Sequence, residues 1–187
     1  MKKIFANKLA CSLICILASA ACQPGFCQPT PGESGIDAST QHGKGLLAVD
    51  GIKSEIRLAK SASVYIVSPG IFFLAKLNEA RVKEIGCQYA TEDRAAVENL
   101  VGIIEAANLR TASFSEDDFE PREAIYLTLR DGKNIALLFG LAEAGRQAVL
   151  GRVDGISVAA DKHLTDDLYR WAKGVDAVKK TRYCSTM

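Results

Sequence analysis

Three Asp-Gly dipeptides divide the body of this chain: Asp50-Gly51, Asp131-Gly132 and Asp154-Gly155. Each separates two runs that read as strands. Asp-Gly suits a two-residue type I′ turn, in which both central residues take positive φ. A tight hairpin commits its flanks to antiparallel pairing. The middle case is the clearest, because 124–130 alternates and 133–139 returns. The third joins 148–153 to 156–160, and the first joins 46–49 to 52–58. Val-Asp-Gly-Ile occurs twice, but turn chemistry alone produces such a string and the flanks do not match, so no internal repeat is read from it.

Further strands lie between the hairpins. The β-branched and aromatic stretch 63–67 is one, ended by Pro69-Gly70. Ile71-Phe72-Phe73-Leu74 is an apolar run that is either buried or part of a loop packed on the core. Residues 81–89 read as another strand, with Ile85, Cys87 and Tyr89 on one face by the period of two.

Two helices interrupt the strands. Thr91 caps the first, acids fill its first turn, and Val97, Leu100, Val101 and Ile104 recur at spacings of three and four through about Asn108. The second covers 164–172, with Leu164, Leu168 and Trp171 on one face, extended by Val175, and Gly174 near its end. An antiparallel sheet with one apolar face needs a cover, and two amphipathic helices supply it. The expected class is α+β: an antiparallel sheet of about five to seven strands packed on one face by both helices.

The N-terminus has a different character. Lys2, Lys3 and Lys8 precede the run 9–21, which is apolar or small apart from Ser12 and Ser19. That run falls short of the ~20 residues a membrane-crossing helix needs, and it has the form of a secretory signal. Ala18-Ser19-Ala20 fits cleavage after Ala20, and Ser19-Ala20-Ala21 fits cleavage after Ala21. Ser19-Ala20-Ala21-Cys22 resembles the lipobox of bacterial lipoproteins, which implies acylation of Cys22. The expected organisation is a signal peptide over 1–21, a Pro/Gly/Ser-rich tether over 22–42 and one α+β domain over 43–187. The chain is then exported to the periplasm, where it is soluble or held at the membrane through Cys22.

Removing three lysines and no acid takes the net charge from +1 to −2. A near-neutral chain lacks the clustered basic face of a nucleic-acid binder, and Lys179, Lys180 and Arg182 read as a solvated tail. Four cysteines remain after cleavage: Cys22, Cys27, Cys87 and Cys184. In an oxidising compartment Cys87–Cys184 is the favoured bond, because it anchors a tail with little else to hold it; Cys22–Cys27 is the local clip that would complete the pairing, and a free, buried Cys87 is the alternative. No pair reads C-x-x-C.

No catalytic set is legible. His42 and His163 are the only histidines, and neither has a second ligand set at metal spacing. A nucleophile elbow, a phosphate loop and a dinucleotide fingerprint are all missing from the sequence. No cofactor or metal is expected. The densest charge feature is Glu116-Asp117-Asp118-Phe119-Glu120, between Ser115 and Pro121. It is either an ordinary polar loop or a surface that meets a basic partner. The functional expectation is a non-enzymatic exported envelope protein that binds another envelope or exported protein, as an inhibitor, immunity-type partner or assembly accessory. A sheet edge open to strand addition is a second surface of that kind. The alternative is a periplasmic binder of a small ligand, held between sheet and helices.

Overall fold

The computed structural model describes residues 49–142 and 147–184. All of them belong to one compact unit, Asp37–Met187. The expected signal peptide and tether, with Cys22, Cys27 and His42, lie outside the described residues.

Among the described residues eight strands form one sheet, and their pairings are all antiparallel. They are β1 (Ala59–Ile66), β2 (Cys87–Thr91), β3 (Arg110–Thr111), β4 (Glu123–Leu129), β5 (Asn134–Phe139), β6 (Ala148–Val153), β7 (Ile156–Asp161) and β8 (Ala177–Lys179). Their spatial order is β3-β7-β6-β5-β4-β1-β2-β8. The described residues also hold four α-helices: α1 (49–56), α2 (Glu79–Ile85), α3 (Arg94–Ala106) and α4 (His163–Lys173). The class is α+β, as expected, but the sheet exceeds five to seven strands and the helices number four rather than two.

Helices also lie on both faces of the sheet. Inward residues of the strands, among them Val64, Ile125, Leu127, Leu137 and Val158, share one core with Ile56 of α1, Leu100 and Ile104 of α3, and Leu164 and Leu168 of α4. The indole of Trp171 is 6 % exposed and donates from Nε1 to the Ala96 carbonyl at 2.8 Å, which ties α4 to α3. Helix α2 packs on the opposite face. Its Val82 and Ile85 join Val67, Leu77 and Ala124 in a second, smaller cluster.

Two strand expectations became helices. Asp50-Gly51 does not turn a hairpin; it lies inside α1, where Val49, Ile52 and Ile56 are buried at spacings of three and four. Residues 81–85 belong to α2. Asn78 caps it by accepting from the Arg81 N–H at 2.9 Å, and Lys83 pairs with Glu79 one turn earlier. The helix stops at Gly86, where a Cβ would stand 2.6 Å from the Val82 carbonyl oxygen. Cys87 and Tyr89 do share a face toward the larger core, while Ile85 points to the other cluster.

The remaining turns differ in kind. Asp154 and Gly155 both have positive φ, 46° and 82°, and Val153 pairs directly with Ile156. That is the two-residue turn read from the sequence. At the middle turn only Gly132 has positive φ, and the Leu129 N–H donates to the Lys133 carbonyl. The loop there is three residues long, a common hairpin alternative with glycine in the left-handed position. Helix α3 begins later than Thr91: Asp93 accepts from the Ala96 N–H, and the Thr91 hydroxyl accepts from the Asp93 N–H just ahead of it.

Candidate functional site

The acidic stretch is a fixed turn. Glu116–Asp118 form a single 3-10 turn. The Asp118 carboxylate accepts from the Ser115 hydroxyl at 2.9 Å and from the Ser115 N–H at 3.3 Å. Phe119 is buried, its ring 5.5 Å from that of Phe114. The Arg152 guanidinium lies 5.2 Å from the Phe119 ring centroid and pairs with Glu116. One inward anchor and one basic clamp therefore hold the loop, while Glu116, Asp117 and Asp118 stay exposed.

Arg122 joins this loop to a second one. It is 6 % exposed and sits between Glu120, which it pairs at 3.0 Å, and the Ile71 carbonyl, to which its Nη1 donates at 2.8 Å. Its guanidinium also lies 5.3 Å from the Phe73 ring centroid. Lys76 adds a second link by donating to the Glu116 carbonyl. Between the acidic turn and the residues that end β5 and begin β6 opens a cleft of about 550 Å³, lined by Lys76, Asp117, Phe119, Arg122, Leu141 and Leu150. The cleft belongs to the α2 face of the sheet. Leu150 and Arg152 alternate along β6 with Val149 and Val153, which point into the larger core.

The apolar run 71–74 is a loop on that same face. Phe73 packs against Tyr183 and Arg122, and Leu77 is buried. Phe72, in contrast, is 91 % exposed, and Leu74 is fully exposed. Neither was singled out in the sequence, where a run of four apolar residues gives no sign of which members face out.

The cysteine expectation holds: Cys87 at the start of β2 is bonded to Cys184. The C-terminal segment is held further by the Thr181 hydroxyl, which donates to the Ile85 carbonyl at 2.7 Å. A cleft of about 570 Å³ lies between this segment and α4, lined by Tyr89, Tyr169, Val175, Lys180 and Cys184. Its walls come from β2, α4 and the C-terminal segment.

Glu123 is a buried acid that the sequence reading passed over. It opens β4 at an inward position beside Ile66 and Phe139, with no solvent exposure. Its two carboxyl oxygens and the Thr165 hydroxyl lack hydrogen-bond partners among the described residues. Burial pushes the carboxyl up to about 8, and the positive charge of Arg122 offsets only part of that cost. Burial also raises Tyr169, whose hydroxyl donates to the Val67 carbonyl at 3.4 Å. The signal was an acid at a core-facing position of an alternating strand.

On the α2 face, Glu79 accepts from the Tyr126 hydroxyl at 2.6 Å and pairs with Lys83 at 2.8 Å. Lys83 also sits 4.1 Å from the Tyr126 ring centroid. Burial, with the Glu79 bond second, pushes the Tyr126 phenol up to about 12. His163 is exposed, and its neighbour Asp161 pairs with Arg110 instead. Among the described residues no three metal-ligating side chains cluster, and no helix is long and apolar enough to cross a membrane. Both sheet edges are short, two residues at β3 and three at β8, which leaves little template for strand addition.

Compared with protein-family models, curated proteins and solved structures, the chain matches none.

Proposed function

We propose that this chain is an exported envelope protein that acts by binding another protein, as an inhibitor, immunity-type partner or assembly accessory, rather than by catalysis. The observation that carries this reading is the fixed acidic turn beside an open cleft. Asp117, with the exposed carboxylates of Glu116 and Asp118 that Arg152 and Ser115 already orient, stands on a loop held by Phe119, Arg152 and Lys76 and can meet a basic partner with little ordering cost on binding. Export rests on the signal-like N-terminus, and attachment to the membrane rests on Cys22.

The test is retention of envelope proteins on the immobilised mature chain, compared with the Glu116→Gln, Asp117→Asn, Asp118→Asn triple variant. The expected result is a protein held by the wild type, released by moderate salt and not held by the variant. Equal retention by both chains sinks the reading. The mass of the chain recovered from cells tests the address: an acylated start at Cys22, or an unacylated start at Ala21.

A second reading is favoured by the cleft between α4 and the C-terminal segment. Its volume, about 570 Å³, lies within the range of small-molecule sites. Two tyrosines and Val175 supply apolar and hydrogen-bonding surface for a small ligand there. A thermal shift with a fraction of envelope metabolites, abolished by Tyr169→Ala and untouched by the acidic-loop variant, is its expected signature.

A further inference from the structure

We propose that Phe72 and Leu74 are paired apolar anchors of the binding surface, and that the partner segment they meet is apolar at its centre and lined with lysine or arginine. The inference rests on the binding-module reading and specifies its partner. Large apolar side chains exposed to this degree are costly in water unless something covers them. These two lie on a loop whose neighbouring residues are tied down on both sides. Ile71 is held by Arg122 and by its own N–H to the Ser68 carbonyl at 3.3 Å, Phe73 lies between Arg122 and Tyr183, and Leu77 is buried. Residue 73 packs inward, and its two neighbours are thereby turned out.

The charge around the anchors selects the occupant. Lys76, two residues after Leu74, touches the Glu116 backbone, and Arg122 spans Ile71 and Glu120. These contacts tie the anchors' loop to the acidic turn, on which Glu116, Asp117 and Asp118 are exposed. An anionic lipid surface would meet these carboxylates as like charges and only the exposed Lys76 and Arg182 beside the loop as opposite ones, whereas a protein segment can place its basic groups against the acids alone. In a two-fold dimer packed on this patch, each acidic turn would lie near its own copy. A basic, apolar-centred protein segment satisfies both features, with the anchors buried and the acids meeting the basic rim.

The test uses the mature chain and a displayed library of short random peptides selected on it. Binding of the recovered peptides is measured by fluorescence anisotropy to the wild type, to Phe72→Ser/Leu74→Ser and to the acidic-loop variant. The expected peptides combine Lys or Arg with large apolar residues. They lose about tenfold or more in affinity on Phe72→Ser/Leu74→Ser. Failure to select any binder, selection of peptides without positive charge, or unchanged binding to Phe72→Ser/Leu74→Ser overturns the inference. So does a dimer in sedimentation that this double variant dissociates, or flotation with phosphatidylglycerol vesicles that depends on it. Circular dichroism melting confirms that the variants fold. If the acidic-loop variant alone loses the peptides, this inference falls and the binding-module reading survives; if neither variant loses them, both fall.

Discussion

The ring of Tyr183 stands edge-on to that of Phe73, with centroids 5.8 Å apart. Tyr183 is next to Cys184, and Cys184 is bonded to Cys87 across 97 positions of sequence. The C-terminal segment thus reaches back to the loop that exposes Phe72 and Leu74, and the disulfide holds it there.

Opening that bond should loosen two things. Loop-closure entropy assigns a cross-link over so long a loop about 4 kcal/mol. Cys184→Ser, or wild type in reductant, should therefore unfold at clearly lower urea concentration than the oxidised chain. Amide exchange at 71–74 should accelerate in the same samples. An unchanged urea midpoint would show that the tail is anchored by its hydrogen bonds alone.

Glu123 should make stability depend on pH. Its folded pKa, about 8, lies above the ordinary 4.5, so the fold retains a proton that the unfolded chain has released. Stability is then highest below pH 4.5 as far as this group is concerned, and it falls as pH rises toward 8. The fall is up to about 1.4 kcal/mol per pH unit. Glu123→Gln keeps the shape and removes the charge. Urea midpoints at pH 5, 7 and 9 should decline for the wild type and stay nearly level for the variant, with the variant the more stable at pH 9.

At Gly151, within β6, a side chain has nowhere to go. A Cβ there would stand 2.4 Å from Cδ1 of Phe139 and 2.7 Å from the Leu138 carbonyl oxygen. Both neighbours are parts of the central sheet, and Phe139 is fully buried. Gly151→Ala should cost about 1–3 kcal/mol through overpacking. Thermal unfolding of the variant at the wild-type temperature would contradict the geometry.

Asp154 does two jobs in the β6–β7 turn. It holds φ at 46°, and its carboxylate accepts from the Ala136 N–H at 2.9 Å while its own N–H donates to the Ala136 carbonyl. Asp154→Ala loses the side-chain bond and leaves an unsuited residue in the left-handed region, for about 2 kcal/mol together. Asp154→Asn retains both features and should lose much less. Equal losses for the two variants, read from denaturant midpoints, would rule out this account.

How much of this was legible beforehand follows from which forces act locally. The β4–β5 and β6–β7 hairpins were readable because alternation and Asp-Gly chemistry agree within a few residues. Helices α3 and α4 were readable because each carries an apolar stripe long enough to exclude a strand. Asp50-Gly51 misled because a turn signal and a short helical stripe occupy the same residues, and burial of Ile52 and Ile56 against the sheet favours the helix. Residues 81–85 misled for a similar reason: a seven-residue helix shows too little periodicity to stand out, and packing of Val82 and Ile85 on the second face decides it.

By itself the sequence determined the antiparallel class, the positions of the two longer helices and the most favourable cysteine pair, since propensity, turn chemistry and periodicity act over a few residues. The tertiary structure alone decided that both faces of the sheet carry helices, that the edges are short, that Glu123 is sealed from water, and that Phe72 and Leu74 stand out beside the acidic turn. Each of these depends on residues brought together from distant parts of the chain, where burial is a property of the neighbours and not of the residue that is buried.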